Sequence, residues 1–108
     1  MIVCVPVTSD GVVDPRWGRA DRVALAETEG GEINGWREVQ VGWDVLHDSG
    51  TPATHHARVA RFLKTQHVEA VVADHMGPPM QDMLVRMHIR VLLGAGGDAR
   101  EAVMAAIR

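Results

Sequence analysis

Apolar positions fall into short runs separated by polar, glycine-rich segments, and the period changes along the chain. Met1 to Val7 (MIVCVPV) is almost continuously apolar and β-branched, the pattern of a strand buried on both faces, with Pro6 near its end where a missing N–H is tolerable. This predicts a first, central strand. Thr8-Ser9-Asp10-Gly11 reads as a turn, and Val12 to Asp21 carries too much proline, glycine and charge for regular structure. Arg22 to Thr28 alternates, Glu29-Gly30-Gly31-Glu32 turns the chain, and Ile33, Trp36, Val39 and Val41 mark an edge-like return strand, so the two predict an antiparallel hairpin. Gly42 to Gly50 is a connection in which Trp43 and Val45 can end a strand.

The second half changes to helical spacing. Thr51-Pro52 is a helix start, a hydroxyl cap followed by proline at the first helical position, and the helix should run to about Gln66. Ala53, His56, Ala57, Val59, Ala60 and Leu63 fall three and four apart, with Arg58, Arg61 and Lys64 outside, so His56 is expected inward or at the boundary. Val68 to Ala73 predicts another buried strand. Pro78 to His88 predicts a helix with Met80, Met83, Leu84 and Met87 on one stripe, and Ile89 to Leu93 a further buried strand. After Gly94 to Gly97, Asp98 and Glu101 form a capping box for a last helix that turns Ala102, Val103, Ala106 and Ile107 to the sheet. Strand and helix alternation here implies parallel strands with right-handed crossovers. The expected class is one α/β domain over residues 1–108.

Composition narrows the function. The chain of 108 residues has 46% hydrophobic and 23% charged residues and no apolar run near the roughly 20 residues of a spanning helix, so a cytoplasmic protein with no membrane partner is expected. Its single cysteine, Cys4, excludes an internal disulfide or a four-cysteine cluster site. The net charge of −3 carries no general footprint for nucleic acid; with all six histidines protonated it becomes +3. No P-loop, nucleophile elbow or set of strand-end carboxylates for two-metal chemistry occurs, and Gly94-Ala95-Gly96-Gly97 lacks the spacing of a dinucleotide fingerprint.

Three groups remain as candidate chemistry. Asp74-His75-Met76-Gly77 lies where a buried strand hands over to a loop, the usual position of ligand sites in open α/β sheets. His55, His56 and His75 with Met76, and His47 as a further member, offer imidazole and thioether donors suited to zinc, copper or iron. The bland alternative has His55 solvated, His56 packed at a boundary and His75 capping a helix. Asp14-Pro15-Arg16-Trp17-Gly18-Arg19 sets two guanidiniums around a flat ring and a glycine, an anion-gripping loop; otherwise Trp17 fills a core edge and the arginines pair with Asp10, Asp14 or Asp21.

On the opening MIVCVPV, on Arg16-Trp17-Gly18-Arg19-Ala20 and on Met76-Gly77-Pro78, the whole chain resembles the dinitrogenase iron-molybdenum cofactor biosynthesis family. The resemblance implies a ribonuclease H-like three-layer fold, a mixed five-stranded sheet with an N-terminal antiparallel hairpin and C-terminal parallel β-α units, and no catalysis. It implies a carrier or assembly protein for a metal-sulfur cluster of molybdenum with iron or copper, meeting donor and acceptor proteins as a monomer or weak homodimer. Arg16 replaces the family's usual histidine, so an anionic cluster would be held there by charge and hydrogen bonds. The expected cofactor contacts are Arg16, Trp17, Gly18, Arg19, His55, His56, Met76 and Gly77, with His75 and His56 as metal ligands. A metal-dependent hydrolase of small phosphoesters, with Asp74 as base or ligand, and a regulatory protein-interaction domain are the alternatives.

Overall fold

The computed structural model describes residues 1–108, and its sheet has five strands in the order β3-β2-β1-β4-β5. β1 (Ile2–Val7) is central; it pairs antiparallel with β2 (Arg22–Glu29) and parallel with β4 (Val68–Val72). β3 (Glu32–Gln40) completes the antiparallel hairpin, and β5 (Arg90–Leu92) adds a parallel strand at the far edge. Pro6 lies beyond Cys4–Val71, the last parallel pair, so the β4 ladder does not need its missing N–H.

Alternation along the strands divides the core in two. Val3, Val5, Val7, Ala24, Ala26, Ala70 and Val72 face α4 (Ala99–Ile107), which seals them with Ala99 and Val103. Cys4, Val23, Leu25 and Val71 face the opposite way, onto Val59 and Leu63 of α2 (Pro52–Thr65) and Met80 and Leu84 of α3 (Pro78–Arg86). The result is three layers, helix, sheet and helix. Cys4 is buried, and burial pushes its thiol well above the ordinary range, leaving it inert.

The caps are as the sequence implies. Thr51 Oγ1 accepts from the Thr54 N–H at 3.1 Å, and an Asp98 carboxylate oxygen accepts from the Glu101 N–H at 2.9 Å. Both α2 and α3 stop at a histidine in the left-handed region, His67 (φ 58°) and His88 (φ 61°), which turns the chain into the next strand.

Three expectations need correction. Trp43 and Val45 do not end a strand: Trp43–Leu46 is a short helix, α1, entered through Gly42 in the left-handed region (φ 65°) and tied by the Trp43 N–H to the Ala20 carbonyl. β5 is a short, half-exposed edge rather than a buried strand, because no sixth strand covers it. In α2 the inward histidine is His55, which shares its four-residue spacing with buried Val59 and Leu63, while His56 is half-buried.

Candidate functional site

The parallel strands β1 and β4 end at the same rim of the sheet, and α2 and α3 both begin there. The loop after β1 is shaped by Asp14. Its backbone N–H donates to the Pro6 carbonyl at 2.9 Å, and its buried carboxylate accepts from the Arg16 backbone N–H at 2.9 Å and from Arg16 Nε at 3.3 Å. This turn delivers the chain into a single 3-10 turn, Trp17–Arg19. Trp17 is 2% exposed and meets Trp43 edge-on, ring centroids 5.3 Å apart, and Trp43 in turn packs against Phe62 at 5.7 Å. The turn therefore stands on an aromatic base.

His55 locks it in place. The guanidinium of Arg58 lies 2.8 Å from His55 Nδ1 and can only donate, so Nδ1 is the lone-pair nitrogen and Nε2 carries the proton, donating to the Gly18 carbonyl at 2.8 Å. The same Arg58 Nη1 donates to the Leu46 carbonyl at 3.1 Å. Burial lowers the His55 pKa; the Gly18 carbonyl opposes this, and His47, Arg58 and His56 add to the lowering by charge. His55 is thus a neutral, fixed imidazole with both nitrogens in use. His47 stacks edge-on against it at 4.9 Å, its Nδ1 lies 3.2 Å from Asp48, and Asp48 lies 3.6 Å from the Arg19 guanidinium.

The third wall follows β4. Bonds from the N–H groups of Gly94 and Ala95 to the carbonyls of Asp74 and Ala73 anchor its start. Met76 is buried and its carbonyl accepts from Gln81 Nε2 at 2.7 Å. The backbone N–H groups of Asp74, His75, Met76 and Gly77 have no acceptor in the protein, and Pro78 and Pro79 contribute none. The carbonyls of Arg16, Trp17, Gly18 and Met76, by contrast, are all taken by internal donors. The walls offer hydrogen-bond donors more readily than acceptors.

Together these walls enclose an open cleft of about 360 Å3. Arg16, Trp17, Gly18 and Arg19 line one side, His55 and His56 the floor, and His75, Met76 and Gly77 the other side. Every expected cofactor contact and metal ligand thus borders one space. Asp74 is exposed and does not line it. Pro15, Pro79, Met80 and His47 also line it, and Arg58 supports it from behind; of these only His47 and Met80 carried a signal, one as a nearby imidazole and the other as the methionine closest to the loop.

The donor set suits an anion with soft or polarisable surface atoms. Arg16 and Arg19 are cationic, His56 and His75 are imidazoles with no hydrogen-bond partner in the protein, and the buried Met76 and Met80 add soft, polarisable lining. Trp17 Nε1 is a buried donor with no partner, a group that ordinarily finds one. A bare divalent ion is less well served, since no three His, Cys, Asp or Glu side chains converge as a metal-binding set.

The fold is a small three-layer α/β domain with an open cleft at the carboxyl rim of the sheet. The chain belongs to the dinitrogenase iron-molybdenum cofactor family, whose model matches residues 1–108. Among solved structures, PH0822 superimposes with a TM-score of 0.80 at 20% identity, covering 99% of this chain and 88% of that one. The apo orange protein from Desulfovibrio gigas gives 0.76 at 22% identity, over 98% and 86% of the two chains. A putative NifB protein from Thermotoga, solved by NMR, gives 0.65 at 25% identity, over 97% and 85%. No curated protein matches the sequence. No helix is long and apolar enough to cross a membrane.

Proposed function

We propose that the protein is a non-catalytic carrier or assembly protein that holds an anionic metal-sulfur cluster, of molybdenum with iron or copper, as cargo in this cleft. Family membership supports cofactor carriage or assembly as the class of role. The observation that carries the cluster reading is the meeting, in one open space, of two guanidiniums, unpaired backbone N–H groups and soft side-chain donors. Charge and N–H donors grip the outer sulfides, and His75 and His56 are the side chains that can reach a metal. Such a site releases its cargo intact, as transfer between donor and acceptor proteins in the cytoplasm requires. A monomer or weak homodimer suffices.

The phosphoesterase alternative calls for three protein ligands around one ion, and the chain brings no such set together. A purely regulatory role through the methionine-bearing helix is disfavoured because Met83 and Met87 pack against the core. Anaerobic incubation with tetrathiomolybdate, alone and with ferrous or cuprous salt, tests the proposal. Uptake with a charge-transfer band, weakened in His75→Ala and Arg19→Ala, is expected; full uptake by both variants removes this cleft from consideration.

A further inference from the structure

The α2 helix contains no acidic residue, although the chain as a whole has more carboxylates than basic groups. Arg58, Arg61 and Lys64 follow one another at three-residue steps, each about 60° from the last around the helix, so they share one flank. None of the three forms an ion pair, as is also true of Arg37, Arg86, Arg90, Arg100 and Arg108, while Arg16, Arg19 and Arg22 are paired. Arg58 and Arg61 line a groove of about 450 Å3 with Phe62 in its wall and no carboxylate, and Lys64 lies outside it on the same helix. Arg37 reaches its end from β3, donating to Gln66 at 2.8 Å.

We infer that this flank of α2 is a docking surface for an acidic segment of a partner protein, and that Arg58 couples the docking to the cleft. The ligand class follows from charge and size. Three or four cations on a chain of net charge −3 are fewer than the six to ten phosphate contacts of a typical nucleic-acid surface, and Phe62 offers an apolar seat that a peptide side chain fills. The partner's carboxylates complete the ion pairs that the helix itself does not make.

Arg58 belongs to both places. It lines the groove, and its Nη1 holds His55 Nδ1 and the Leu46 carbonyl at the back of the cleft. A carboxylate that pairs with the rest of the guanidinium draws it outward, because bidentate pairing favours the planar fork. His55 then loses the donor that fixes its tautomer, and its hold on Gly18 slackens. Docking loosens the Trp17–Arg19 turn and lowers affinity for whatever the cleft holds. This coupling, unlike the docking, rests on the cleft being a cargo site.

The test uses the full chain and a fluorescein-labelled peptide of twelve residues, glutamates around a central phenylalanine, with a twelve-nucleotide single-stranded DNA as a second polyanion. Expected is peptide binding that weakens with salt, falls at least tenfold in the Arg61→Glu, Lys64→Glu double variant with unchanged melting temperature, and shifts amide resonances along α2. Peptide binding unaffected by the reversal, or DNA bound as tightly as the peptide, overturns the docking surface. With peptide saturating, tetrathiomolybdate affinity is expected to fall about fivefold or more, and Arg58→Lys to abolish that response while still binding peptide. An unchanged tetrathiomolybdate affinity overturns the coupling alone. Absence of tetrathiomolybdate binding without peptide would count against the cargo reading and leave the docking result intact.

Discussion

His55 Nε2 donates to the carbonyl of Gly18 at 2.8 Å, joining the first turn of α2 to a loop 37 residues earlier. The bond fixes the distance between two walls of the cleft, and Arg58, donating to Nδ1, keeps the neutral ring's proton on Nε2 where the bond needs it. Replacing His55 by alanine leaves the Gly18 carbonyl and an Arg58 N–H without partners and opens a void beside Trp43. A loss of about 2–4 kcal/mol is expected, by the sum of a cavity and an unmade hydrogen bond. Denaturant unfolding measures it, and a loss below about 0.5 kcal/mol would show that the bond is not holding the walls.

The same histidine sets a pH dependence. Its pKa is lowered in the folded state, chiefly by burial, while the unfolded chain titrates near 6.5. Below 6.5 the unfolded state therefore binds a proton that the folded state does not, so stability is full above this pH and declines as the pH falls through it. His55→Gln should flatten that part of the stability profile. Urea midpoints at pH 7.5, 6.5 and 5.5 for both proteins check it, and parallel profiles would refute the assignment.

Trp17 supplies a test of the cleft's donors. Its Nε1–H is buried without an acceptor, a cost of about 1–3 kcal/mol. Trp17→Phe removes that cost and gives up part of the ring packing, so the empty protein should change by no more than about 1 kcal/mol. If the cargo's outer sulfide is the missing acceptor, tetrathiomolybdate affinity falls about five- to tenfold, the value of one hydrogen bond. Equal affinity in the two proteins sinks that role, and the indole N–H resonance, which should move on binding, provides a second measurement.

Much of this architecture was legible because it is written in local periodicity. The continuous apolar run of β1, the Gly30-Gly31 turn and the Thr51-Pro52 cap each name their element without help from the rest of the chain. Trp43–Leu46 was not legible: four residues cannot hold a helix alone, and this one is fixed by the Ala20 carbonyl and by burial of Trp43. The inward turn of His55 instead of His56 had a signal in the spacing of His55, Val59 and Leu63, but an imidazole at a helix start reads equally well as polar. The gathering of the three candidate groups around one cleft follows from β1 and β4 being parallel neighbours. The bond from His55 to Gly18 has no sequence signature, since it depends on where two distant segments come to rest.

Asp48 offers a gain of binding. It sits 3.6 Å from Arg19 and 3.2 Å from His47 Nδ1, and its side chain is 71% exposed, so the pairs add little to stability. Asp48→Asn should alter the unfolding free energy by less than about 0.5 kcal/mol. It does, however, remove a negative charge from beside the guanidinium at the cleft mouth. At ~7 Å and water-like screening one charge contributes about 0.6 kcal/mol per unit of cargo charge, so a dianion should bind several-fold more tightly. The gain should shrink as salt is raised from about 0.01 M to 1 M, because the Debye length contracts from about 30 Å to 3 Å. Titration with tetrathiomolybdate at the two ionic strengths decides the matter: weaker or unchanged binding at low salt would mean that Arg19 does not act on the anion through its charge.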